Sequence, residues 1–140
     1  MRWRKQTKAQ ADQSDEVWNR AAMHGGGPTA REGDQALASL LRLHNEAMSS
    51  GLLHAVTGGL TRGEFDRALD GYRYFGLGEA ATVAESVLND AFHAADDEQD
   101  ELEADADRRY ASVVPDDSTL VQAFRVKLAA APESFAPSSG

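Results

Sequence analysis

ALASLLRLHNEAMSSG, residues 36–51, carries apolar residues at helical intervals: Leu37, Leu40, Leu41, His44 and Met48 share one face, and Ala36, Leu43 and Ala47 widen it toward a second. An apolar arc this broad belongs to a helix with neighbours on more than one side, which makes it the central element of the fold. Upstream, Thr29 followed by Glu32 has the form of a capping box, in which the Thr oxygen accepts one free amide and the Glu reaches back for another. Downstream, Gly51 suits a C-terminal cap.

Working outward, residues 9–24 fit a first helix with Val17, Trp18, Ala21 and Ala22 inward, closed by Gly25, Gly26, Gly27 and Pro28. A short segment, residues 52–57, follows Gly51 before Gly58 and Gly59 break the chain. Thr61 and Glu64 form a second capping box, opening a helix with Phe65, Ala68, Leu69, Tyr72 and Phe75 on one side and ended by Gly76 and Gly78. Val83, Ala84, Val87, Leu88 and Ala91 define the next helix, to about His93. Pro115, Asp116 and Asp117 mark a stop and a new N-cap, after which Leu120, Val121, Phe124 and Leu128 turn inward, before Pro132 and Phe135. No run of alternating apolar residues supports a strand. The expectation is an all-α fold, a single compact bundle of five to six helices. Residues 1–28 read as a basic, polar leader with a first helix and a Gly-rich linker, 29–135 as the helical domain, and 136–140 as a flexible tail.

Fourteen Lys and Arg against 23 Asp and Glu give the 140-residue chain a net charge of −9. Arg2, Arg4, Lys5 and Lys8 sit in the first eight residues, leaving 10 basic and 23 acidic groups on residues 9–140, a charge of −13. Such a body disfavours direct contact with nucleic acid or an anionic membrane and favours a basic partner. With no cysteine there is neither a disulfide framework nor a thiolate site. No signal peptide and no membrane-spanning run is apparent, which points to a cytoplasmic protein.

The charge is densest in DDEQDELEADAD, residues 96–107, eight carboxylates in twelve positions. Read as one helix from Asp96 to Tyr110, it aligns Ala95, Leu102, Ala106 and Tyr110 as a thin apolar stripe and puts Asp96, Asp100, Glu103 and Asp107 in a row on the opposite side. Steps of roughly 4.5 to 6 Å along the row compare with one charge per about 3.4 Å on a DNA strand. Two readings stand: a solvated face that keeps the protein soluble, and a surface that offers a basic partner charges in place of phosphates. A calcium loop is disfavoured because the stretch has no Gly at the sixth position.

Other constellations fall short of a site. His24 and the three glycines resemble an oxyanion loop, but no G-x-S-x-G elbow accompanies them. His44 lies on an apolar stripe and reads as a hydrogen-bonded core histidine. His93 with Asp97 supplies two metal ligands where zinc takes three or four, and Ser49, Ser50 and His54 lack a third partner. Trp3 among basic residues reads as part of a frayed terminus. No cofactor, no metal and no catalytic residue is expected.

Three stretches, LHNEAMSSGLLHAV (43–56), EFDRALDGYRYFGLGEAATVAESVL (64–88) and DRRYASVVPDDSTLVQAFRVKLAAAPESF (107–135), give the chain a family likeness. From about residue 36 to 135 it resembles a bacterial acidic helical family, largely a domain of unknown function, with a DNA-mimic member that occupies a transcription factor's DNA-binding surface. Glu46 and Gly51 keep the family pattern, while Ser49, Ser50 and Leu52 stand where it favours Asn, Gly and Phe. The resemblance implies a non-enzymatic helical protein in which surface carboxylates stand in for phosphates, a basic DNA-binding protein as partner, and a homodimer as a common state. The charge pattern nominates Asp96, Asp97, Asp100, Glu101, Glu103 and Asp107, with Asp116 and Asp117 as outlying members. An immunity or antitoxin-like role against a basic toxin or nuclease is the alternative.

Overall fold

The computed structural model describes residues 8–137; Arg2, Trp3, Arg4 and Lys5 lie outside the described residues. Seven α-helices follow one another: α1 (Lys8–His24), α2 (Glu32–Ser50), α3 (Leu52–His54), α4 (Arg62–Tyr74), α5 (Gly78–His93), α6 (Gln99–Val113) and α7 (Asp117–Ala130), with no strand among the described residues. The all-α expectation holds and the count of five to six is low by one. The extra element is α3, a single turn after Gly51 that runs directly into a π-helical turn, Ala55–Gly59.

The broad arc of α2 is used as its sequence requires. Leu37, Leu40, Leu41, Leu43, His44 and Ala47 are all buried, whereas Met48, at the end of the stripe, is exposed. Each Leu so buried contributes roughly 1.5–3 kcal/mol. The principal neighbour is α4, which meets α2 through Phe65, Ala68, Leu69 and Tyr72. Gly71 makes the approach close: a Cβ there would fall 2.4 Å from the Ala36 carbonyl oxygen. No rotamer change relieves a clash with backbone.

The caps are partly relocated. The Thr61–Glu64 box forms, with the Glu64 amide donating to Thr61 Oγ1 at 3.1 Å and the Thr61 amide to Glu64 Oε1 at 2.9 Å. That amide, followed by the neighbouring Arg42, holds the Glu64 carboxyl below its ordinary value. The Thr29–Glu32 box does not form. Asp34 replaces it, accepting the Arg31 amide at 2.9 Å, because its fully buried carboxylate also takes the Ala136 amide at 2.7 Å and Arg20 at 3.3 Å. Gly78 does not end α4; it is the first residue of α5, and the turn is made by Gly76 at φ +76° with the Leu77 amide reaching the Tyr72 carbonyl.

α1 and residues 131–137 both reach this core. On α1, Val17 and Ala21 are buried, Trp18 is half-buried against Phe124 at 5.7 Å, and Ala22 is exposed, so the inward face is one residue narrower than expected. The first helix expected within residues 1–28 is present, and it packs on the bundle through Ser14, Val17 and Ala21. Ala136, placed in a tail by its sequence, is 2% exposed. It is held by Asp34, a partner about a hundred residues away that no local pattern announces.

Two glycines separate packing from propensity. Gly71→Ala is expected to lower stability by about 1–3 kcal/mol in urea unfolding despite the better helix propensity of Ala. Gly78→Ala, whose Cβ meets nothing within 4 Å, is expected to be neutral or to stabilise by up to about 1 kcal/mol.

Candidate functional site

The acidic stretch is not one helix. After α5 the chain runs extended through Ala94 (ψ 136°) and Ala95 (ψ 159°), makes a 3-10 turn over Asp96–Glu98, and only then enters α6. Like charges three and four apart weaken a helix, and the break lets Glu98 accept the Ala95 amide at 3.1 Å instead. Leu102, Ala106 and Tyr110 anchor α6 as the stripe predicts, while Ala95 stands exposed outside it. Asp96 therefore leaves the straight row. Asp100, Glu103 and Asp107 remain on one helix.

The nominated carboxylates divide by what they touch. Asp107 accepts the Leu52 amide at 3.0 Å and so caps α3 from across the fold. Asp116 caps α7 through the Ser118 amide and hydroxyl, and these bonds hold its carboxyl below the ordinary value. Asp117 Oδ1 lies 2.7 Å from His44 Nε2. Within the acidic stretch itself, Asp105 pairs with Arg108 and Arg109, and Arg109 reaches on to Asp90 at 2.8 Å. Asp96, Asp97, Asp100, Glu101 and Glu103 are left exposed, with no side-chain hydrogen bond or ion pair among the described residues. They mark an acidic edge that runs from the 3-10 turn to the second turn of α6.

Beside this edge, between the end of α5 and the start of α6, runs an open groove of about 740 Å³. Asp90, Glu98, Glu101 and Asp105 line it together with His93 and Arg109. The other histidines lie elsewhere: His44 is buried, and His54 is exposed, 3.4 Å from Glu46. No three acidic or His side chains among the described residues are grouped to hold a metal ion.

His44 is a hydrogen-bonded core histidine, and the chain of bonds it belongs to draws on three other helices. Its Nδ1 is 2.7 Å from the Tyr110 hydroxyl of α6, which is 2.6 Å from the Tyr72 hydroxyl of α4, while Asp117 of α7 meets Nε2. With Asp117 as acceptor, one arrangement places every hydrogen: Nε2–H to Asp117, Tyr110 O–H to Nδ1, Tyr72 O–H to the Tyr110 oxygen. No donor is left over for a substrate. Burial pushes both phenols above their ordinary value; the Tyr72 bond opposes this at Tyr110 and the Asp117 charge adds to it, and at Tyr72 the neighbouring Tyr110 adds to it. Sequence spacing gives no sign of this chain, because its members are 28 to 73 residues from His44; the available signal was a polar residue on an apolar stripe.

Comparison of the chain with protein-family models, curated proteins and solved structures gives no significant match.

Tyr110→Phe removes the middle of the chain and strands both His44 Nδ1 and the Tyr72 hydroxyl, so it is expected to cost about 2–4 kcal/mol in urea unfolding. Tyr72→Phe removes only the terminal donor and should cost about 0.5–1.5 kcal/mol. Alkaline titration gives a second check. Because the folded phenols titrate above the unfolded value near 10, their contribution is complete below about pH 10 and is lost as pH rises toward the folded values. Tyrosinate absorbance from Tyr72 and Tyr110 should therefore appear only together with unfolding, and urea midpoints should fall above about pH 10 less steeply in Tyr72→Phe than in the parent.

Proposed function

We propose that the protein is a non-enzymatic acidic binding module whose edge of Asp96, Asp97, Asp100, Glu101 and Glu103 takes the basic surface of a DNA-binding protein, in the manner of the DNA-mimic family it resembles. The observation that carries this reading is the division of labour within residues 96–107. Glu98, Asp105 and Asp107 are bonded within the fold, whereas the other five side chains are left unpaired. Asp100 and Glu103 are spaced roughly 4.5 Å apart along the axis, near the phosphate repeat. Asp107, Asp116 and Asp117 are assigned to the fold and leave the proposed contact set. The reading places the protein in the cytoplasm with such partners; among the described residues no helix is long and apolar enough to cross a membrane.

The groove beside the edge favours a second reading, in which a protruding basic loop of a toxin or nuclease is received there, as by an immunity protein. The partner's identity separates the two.

The test is capture from the source cell's lysate at low and moderate salt, with a variant carrying Asn at 96, 97 and 100 and Gln at 101 and 103, and with Asp107→Asn as a control that keeps the edge. The parent and the control are expected to hold one basic protein and to suppress its binding to nucleic acid. The variant, with net charge reduced from −9 to −4, should associate at least tenfold more slowly at low salt. Equal capture by the folded variant would reduce the edge to solvation.

A further inference from the structure

Residues 131–137 are bound to the molecule in a way that no helix is. After a 3-10 turn, Pro132–Ser134, the chain extends at Phe135 (φ −122°, ψ 145°). Phe135 is 1% exposed, with ring centroids 6.3 Å from Phe75 and 5.7 Å from Phe124. On Gly33 a Cβ would lie 2.6 Å from that ring, so the glycine is what leaves room for it. The main chain of the segment is held by side chains. Asp34 accepts the Ala136 amide at 2.7 Å, Arg20 donates to the Ala136 and Pro137 carbonyls at 2.8 and 3.1 Å, and Arg31 donates to the Glu133 and Phe135 carbonyls at 3.1 and 3.3 Å. Bonds from side chains to peptide groups with one aromatic anchor are how a protein recognises an extended peptide.

The same atoms fasten α1. Its buried apolar residues among those described are Val17 and Ala21, a small contribution for a helix of 17 residues, with Trp18 half-buried. It is joined to α2 through residues 25–31, in which Gly25, Gly26 and Gly27 are all at positive φ, and it packs against α2. Arg20 ties it to Asp34 and to the segment, and its Nε is buried without a partner.

We infer that residues 131–137 are a releasable latch, a peptide ligand bound in cis, whose departure frees α1 while α2 to α6 stay folded. When the segment leaves, Arg20 loses two acceptors and buried Asp34 loses a donor. Because Arg20 and Asp34 bind helix and segment together, loss of the segment weakens the hold on α1, and the two open together. The α2–α4 contact at Gly71 and the bond from Asp107 to α3 do not involve the latch, so the inner helices lose the Phe135 contacts at Phe75 and Gly33 but keep the contacts between themselves.

Native-state hydrogen exchange on the full chain tests this. Amides of α1 and of residues 131–137 are expected to exchange through a common opening, at least tenfold faster than the buried amides of α2 and α4. Phe135→Leu should speed both by the same factor, with α2 and α4 still at least tenfold slower. A synthetic peptide of residues 131–137 added to that variant should restore α1 protection, and the same peptide with Ala for its Phe should not. Exchange of α1 only at the rate of α2 and α4 would overturn the latch. So would release of residues 131–137 with α1 protection intact, or a peptide without effect on the folded variant. The measurement on the unaltered protein decides the matter even where Phe135→Leu fails to fold.

Discussion

At Gly71 the backbone of α4 lies against the Ala36 carbonyl of α2 with no room for a methyl group, and much of the remaining structure depends on that approach. It brings Tyr72, the next residue, fully inside, where its hydroxyl meets Tyr110. Tyr110 in turn fixes the position of α6 against α2 through His44, and His44 holds the N-terminus of α7 through Asp117. Four helices are thus registered by one linear set of hydrogen bonds that closes without a leftover hydrogen. Such a network tolerates little sliding: displacing a helix by a fraction of a turn strands a buried polar atom, which costs more than the bond itself contributes.

A second buried polar centre lies in the first turn of α2. Asp34 caps α2, receives Arg20 from α1 and binds the C-terminal segment. The two centres differ in kind. The tyrosine chain joins α2, α4, α6 and α7, whereas Asp34 joins α1 and residues 131–137 to α2, and both pieces also reach the one apolar core through Val17, Ala21 and Phe135.

The acidic edge follows from the same economy of partners. The fold binds the carboxylates it needs as caps and ion-pair members and presents the rest to solvent on a turn that charge repulsion keeps out of the helix. What remains exposed is therefore a selected subset of the acidic stretch, compact and next to a groove.

The helices, their order and most of their inward faces are legible in the sequence, because each rests on local spacing: the Leu37 to Ala47 arc, the Phe65 to Phe75 face, the Leu102, Ala106 and Tyr110 stripe, and the Thr61–Glu64 box. Local spacing fails wherever a distant group competes. Asp34 takes the cap from Thr29 and Glu32 because Ala136 and Arg20 reach it. Asp107 and Asp117 look like members of a charged surface and are tied instead to Leu52 and His44. Composition determined that the protein is acidic and helical, since charge and periodicity are properties of the chain itself. Which carboxylates are bound and which are offered to solvent was decided by tertiary structure, since a hydrogen-bond partner 14 to 102 residues away has no signature in local spacing.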